Sequence, residues 1–282
     1  MTKDFRFGVN MFTGSGSRSV WHDAARRVED LGYDVLLVPD HLGTHAPFPA
    51  LVSAAEATTR LRTGTLVLNT GFYNPVLLAR DVAEVHELTD GRFELGLGAG
   101  WAAEEFETAG MPFPGARDRV DHLEHTVTKV GDMLREAGHR MPLLVGGQGE
   151  RVLTLAARHG DIVNISDTPG AVGRGRPNPV AERIDVVRRA AGERFDQLEL
   201  CVIIQLVHIT GTGAVDLTFP RRIYPGVPDE DLVRLPGVRH GSPRGIADSL
   251  RELRETHGIS YFIAMDVGGN LEAFGKVISQ LR

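Results

Sequence analysis

Eight times along this chain a short apolar run is followed by a segment of helical periodicity, and few folds accommodate that alternation. The runs cover 5–11, 34–41, 63–70, 92–101, 142–147, 160–166, 198–209 and 261–266. The helical segments follow at 19–31, 49–59, 76–88, 117–137, 151–159, 180–191, 242–256 and 271–281. Strands that alternate with helices pair in parallel, because each crossover helix returns the chain to the same end of the sheet. Eight such units in 282 residues predict an α/β fold of the TIM (β/α)8 barrel type, which commonly needs about 250 residues. A large open doubly wound sheet is the alternative. It would carry one dominant phosphate loop, whereas here glycines and polar residues end nearly every run. The chain reads as one domain over 1–282, with 211–240, rich in Pro, Gly and Arg, as a lid inserted after the seventh strand.

Composition narrows the function. Hydrophobic residues make up 42% and charged residues 24%, which suits a soluble globule with a large core. A net charge of -6 provides no global basic field for nucleic acid. No apolar stretch approaches the roughly 20 residues of a membrane span, and residues 1–6 lack the apolar region of a signal peptide. A cytoplasmic protein acting on a small molecule is expected, without nucleic acid or membrane as partner. The lone Cys201 lies in an apolar run, so it reads as a buried, inert thiol.

The most distinctive strand is Phe93-Glu94-Leu95-Gly96-Leu97-Gly98-Ala99-Gly100-Trp101. Its apolar residues alternate, and its glycines read as backbone laid bare for a flat ligand. Gly98-Ala99-Gly100-Trp101-Ala102-Ala103 also fits the G-x-G-x-x-A dinucleotide fingerprint. The strand and acidic residue that should follow are missing, since the chain enters the turn-rich 110–115 instead.

In a barrel of this kind, chemistry sits at the carboxyl ends of the strands. Those ends are Asn10; Asp40 and His41; Asn69 and Thr70; Gly98 to Trp101; Gly146, Gly147, Gln148 and Gly149; and Ser166 and Asp167. Amides, hydroxyls, glycine backbone and one aromatic ring suit a large heteroaromatic cofactor better than a metal. His41 is a candidate acid or base, with turn capping the competing reading of the Asp40-His41 pair. Gly146-Gly147-Gln148-Gly149 before a helix could hold phosphate or form a plain turn. Trp101 could wall a cofactor ring or cover the barrel end. His122 and His125 lack H-E-x-x-H and read as a solvated helix face, so no metal site is expected.

As a set, these motifs resemble the bacterial luciferase-like flavin and deazaflavin oxidoreductases. The resemblance is carried by Val38-Pro39-Asp40-His41, Tyr73-Asn74-Pro75, Asp90-Gly91-Arg92-Phe93 leading to Gly96-Leu97-Gly98-Ala99-Gly100-Trp101, and Gly146-Gly147 leading into Ala156-Ala157-Arg158-His159-Gly160-Asp161. It spans most of the chain to Ser166 and returns from Ser242 to Asp266. It implies a TIM barrel that binds FMN or the deazaflavin coenzyme F420, often as a homodimer. Asp40-His41 and the absence of marked insertions look more like the deazaflavin branch. The function so implied is an F420-dependent oxidoreductase, passing a hydride between the deazaflavin C5 and an unidentified organic substrate. An FMN-dependent monooxygenase and a non-catalytic cofactor-binding barrel are the other readings.

By the same resemblance, His41 is the catalytic base. Asp40, Asn69, Thr70, Gly98, Ala99, Gly100 and Trp101 would meet the ring, and Gly146, Gly147, Gln148 and Gly149 the phosphate. Deazaflavin-dependent sugar-phosphate dehydrogenases carry glutamate where this chain has Trp101, a departure from that activity. Arg174, Arg176, Arg221, Arg222, Arg234 and Arg239 lie in loops expected to overhang the mouth, where they could meet an acidic cofactor tail or remain solvated.

Overall fold

A computed structural model describes residues 3–12, 16–167, 179–211 and 213–282; the sequence readings at Arg174 and Arg176 fall outside them. The chain runs β1 (Arg6–Asn10), α1 (Arg18–Asp30), β2 (Val35–Val38), α2 (Pro47–Ala57), β3 (Arg62–Thr65), β4 (Leu68–Asn69), α3 (Pro75–Leu88), β5 (Phe93–Gly98), α4 (Ala103–Thr108) and α5 (Ala116–Glu136). It continues β6 (Leu143–Gly146), α6 (Glu150–His159), β7 (Ile162–Asn164), α7 (Pro179–Ala191), β8 (Glu199–Ile204), β9 (Leu206–Ile209), α8 (Thr218–Ile223), α9 (Asp229–Leu232), β10 (Val238–Gly241), α10 (Pro243–His257), β11 (Ile259–Met265) and α11 (Asn270–Ile278).

The large sheet has the order β3-β2-β1-β11-β8-β7-β6-β5-β4, and β3 pairs again with β5, so the parallel sheet closes on itself. With β3 and β4 as two pieces of one wall, this is the expected eight-walled barrel. Alternation along the strands separates two apolar sets. Phe93, Leu95 and Leu97 join the layer packed under the helices. Val35, Leu37, Leu144, Ile162, Cys201 and Tyr261 pack on one another inside the barrel. Cys201 is fully buried, and burial pushes its thiol up to about 12, as an inert core residue requires.

The amino-terminal end of the barrel is closed by ions. The Arg6 guanidinium donates to both Glu94 oxygens at 2.6 and 2.7 Å and also pairs with Glu199. Arg62 Nε adds a 2.8 Å bond to Glu94. The carboxyl-terminal end is therefore the open one.

Helix ends follow the local chemistry. Asn74 accepts the Val76 and Leu77 amides ahead of Pro75, and Ser242 accepts Gly245 N ahead of Pro243. Gly258, at φ 73°, closes α10 in the left-handed conformation that glycine tolerates best.

Two predicted strands are divided. The third, expected over 63–70, breaks after Thr65, and the cis Leu66–Val67 peptide precedes β4. The seventh, expected over 198–209, leaves the wall at Gln205; β9 then pairs with β10 in a separate two-stranded sheet. Asn270 holds this departure, accepting Val207 N at 2.8 Å and donating to Gln205 O at 2.9 Å. The segment expected as a lid is not bare loop: α8, α9 and β10 gather Leu217, Tyr224, Leu232 and Val238 around Leu206 in a small core. Asp167 ties it to the barrel, accepting the Tyr224 hydroxyl at 2.7 Å and Gly237 N.

Candidate active site

The carboxyl-terminal mouth holds a cavity of about 410 Å³, within the range of small-molecule sites. Asp40, His41, Asn69, Gly98, Ala99 and Gly100 contribute to its lining. Trp101, Gly146, Gly147 and Gln148 complete the sequence-predicted part. Two predicted residues do not reach it. Thr70 is fully buried behind the wall, where its hydroxyl donates to Gly98 O at 3.0 Å and its carbonyl meets His122 Nε2. Gly149 is the residue before α6 and stands outside the lining.

The residue that sequence reasoning missed is Glu105. Its Oε1 lies 2.8 Å from His41 Nδ1 and accepts Leu42 N at 3.2 Å. α4, only six residues long, carries it, and Phe106 fixes that helix. Phe106 is 1% exposed and packs 4.9 Å from Phe72 and 5.2 Å from Phe113, ring to ring. A Cβ on Gly71 would lie 2.7 Å from the Phe106 ring, so glycine there lets α4 dock. Glu105 thus reaches over the strand ends to the histidine. Three-quarters of the His41 side chain is covered, its exposure being 24%.

Asp40 turns the other way. Its Oδ2 accepts Asn69 N at 3.0 Å, and the Tyr73 hydroxyl also bonds to it. Burial raises the Asp40 carboxyl above its usual range despite these donors, and raises the Tyr73 phenol as well. The pair joins the end of β2 to β4 and sets the edge from which His41 projects.

The glycines in and just after β5 also answer to the wall around them. A Cβ on Gly96 would lie 2.0 Å from Thr65 O, and one on Gly98 would lie 2.5 Å from the Val67 side chain. Gly100 sits at φ 71° with Asn69 Oδ1 2.2 Å from the position of a Cβ. The wall itself demands these residues, and Val67 fills the space above them as part of the cavity floor. Gly96→Ala is therefore expected to cost about 3 kcal/mol, the upper part of the overpacking range, because the obstacle is backbone; urea unfolding measures it.

The cavity suits a flat ring with a phosphate. Leu66 and Val67 give an apolar floor, and Gly98 to Gly100 and Gly146 to Gln148 give backbone edges. The buried Asn10 Oδ1 has no hydrogen-bond partner, leaving an acceptor at the end of β1. No side chain caps the start of α6, so its first amides are available to an anion. Among the described residues no three His, Cys, Asp or Glu side chains come together as ligands.

The arginines divide. Arg221 pairs with Asp229, and Arg234 with Asp231. Arg239 turns inward, donating to Leu235 O, with Asp167 favouring its charge. Among the described residues, no helix is long and apolar enough to cross a membrane.

Comparison with known proteins agrees with the architecture. The chain is 37% identical to an F420-dependent glucose-6-phosphate dehydrogenase of Kribbella flavida over 123 residues, covering 40% of this chain and 37% of that protein. It is 27% identical to a 5,10-methylenetetrahydromethanopterin reductase of Methanolobus tindarius over 176 residues, covering 57% and 53%. The matches thus span about a third to a half of these curated relatives. An F420-dependent secondary alcohol dehydrogenase, solved with an F420-acetone adduct, superposes over 99% of this chain and all of its own, with TM-score 0.75 and 19% identity, which shows a shared fold. The model of the family described as luciferase-like monooxygenase matches residues 7–212, and the chain belongs to that family.

Proposed function

We propose that this chain is an F420-dependent oxidoreductase in which His41 is the proton donor or acceptor. The observation that carries the reading is the His41–Glu105 pair, set at the rim of a cavity with glycine-backbone edges and an apolar floor. The similarity to F420-dependent relatives supports the choice of cofactor. When bound, F420 would supply a carbon centre, C5, that accepts or gives a hydride.

The chain's residues do the rest. Glu105 accepts at Nδ1, which leaves His41 Nε2 as the atom that exchanges protons with substrate. Oxidation of a carbinol takes its C–H pair as hydride and sends the O–H proton to Nε2, leaving a carbonyl; reduction runs the same transfers in reverse. The backbone at Gly98, Ala99 and Gly100 would border the ring with Asp40, Asn69 and Trp101, and Gly147 to Gly149 would lie near the phosphate. Thr70 stands behind that edge, bonded to Gly98 O.

Charge-assisted hydrogen bonds contribute about 1.5–3 kcal/mol. Glu105→Gln is therefore expected to lower kcat about ten- to a hundredfold with little change in KM, and Glu105→Asp to recover part of it; steady-state kinetics separate the two constants.

Anaerobic turnover of F420 with a panel of alcohols, and of reduced F420 with ketones, tests the function. Loss or gain of the deazaflavin absorbance without oxygen uptake is expected. Oxygen incorporation into a substrate with reduced FMN under air, and no reaction with F420, would instead make the chain a flavin monooxygenase.

A further inference from the structure

The outer half of the mouth is aromatic. The His41 ring stands between Phe12, with centroids 5.5 Å apart at 48°, and Trp101, 5.8 Å apart and nearly edge-on at 71°. Trp101 is 76% exposed, Phe12 38% and Leu42 51%. A single exposed apolar side chain is ordinary on a protein surface. Three around one acid/base group, two of them rings, form a surface that a flat apolar molecule can cover.

Among the described residues, the side-chain charge lining this mouth has one sign. Asp40 and Glu105 line the cavity, and Glu104 and Glu107 are exposed on α4. Among the described residues, no lysine or arginine lines it. Arg119, close by, is already engaged: it donates to Gly100 O and Pro114 O and lies 4.2 Å over the Phe113 ring. A phosphorylated or carboxylated substrate reaching His41 would meet carboxylates and apolar rings, with no fork of donors to receive its oxygens.

We propose that the compound taken against His41 is an uncharged, flat, largely apolar carbinol or carbonyl compound, covering the exposed Trp101 and Phe12 rings that flank His41, and that phosphate esters and carboxylates are rejected. The proposal rests on the oxidoreductase reading above and names its substrate class. Trp101 and Phe12 act here as specificity determinants.

Calorimetric titration tests it with 1-phenylethanol, acetophenone and glucose 6-phosphate, each added to the chain alone and to the chain loaded with F420. The two neutral aromatic compounds should bind and the sugar phosphate should not. Trp101→Ala and Phe12→Ala should each weaken acetophenone by about two- to tenfold, the worth of one aromatic contact, while Trp101→Phe keeps most of the affinity. Both side chains are exposed, and a far-ultraviolet dichroism spectrum equal to that of the parent confirms that each variant is folded. Tighter binding of glucose 6-phosphate than of acetophenone, no binding of either aromatic compound, or acetophenone affinity unmoved by both alanine variants would overturn the proposal. Failure to take up F420 would overturn the oxidoreductase reading, while the titrations on the chain alone would still decide the aromatic contact.

Discussion

His41→Ala is expected to lower kcat by about 10²- to 10⁴-fold, the usual worth of a positioned acid or base. The expectation follows from placement. The imidazole stands at the carboxyl end of the barrel, it lines the cavity, and Glu105 holds its Nδ1 at 2.8 Å. Removing the ring leaves the cavity floor of Leu66 and Val67 and the glycine edges in place, so the protein should still fold and bind cofactor. The loss should therefore fall on kcat, and added imidazole, which fits the vacated volume, should restore part of the rate. Full turnover by the alanine variant would remove His41 from the reaction.

The second large effect is on stability, at the closed end of the barrel. Arg6 serves Glu94 and Glu199 together, and the side chains of the three are 25%, 4% and 14% exposed. Arg6→Leu would leave two covered carboxylates near each other, with Arg62 as the remaining partner of Glu94. Breaking a buried pair in this way costs about 3–5 kcal/mol, measured by urea unfolding at neutral pH. Burial already raises the Glu199 carboxyl above its usual range, with Arg6 opposing that shift. Without Arg6 the folded form binds protons more readily than the unfolded chain does. The lost stability should therefore return as pH falls through the raised folded-state value toward the ordinary carboxylate value of about 4.3. A penalty independent of pH would mean that packing of the Arg6 guanidinium over the Tyr261 ring carries the effect.

What the sequence revealed and what it hid divide along physical lines. Parallel strands buried on both faces write long apolar runs, so the barrel and its strand ends could be read directly, Asp40 and His41 among them. Glu105 could not. α4 has too few residues to show a helical period, and what places it is the contact of Phe106 with Gly71 and Phe72, far away in sequence. The β5 glycines were marked as places of close approach, and Thr65 O and Val67 are groups that approach them. Such a contact depends on how neighbouring strands sit, which one strand does not encode. The run 198–209 concealed the break at Gln205 for a similar reason: β8 and β9 are equally apolar, and the groups that part them, the Asn270 side chain and Gly237 O, are distant in sequence.

F420 is the cofactor proposed to fill the mouth beside His41. Titration of the cofactor-free chain with F420 and with FMN, following quenching of tryptophan emission, tests it most directly. Trp101 lines the cavity while Trp21 is buried with its indole N–H on Ala50 O, so the response should come from Trp101 and vanish in Trp101→Phe. The account predicts saturable quenching by F420 at lower concentration than by FMN. Tight binding of FMN with no response to F420 would contradict it.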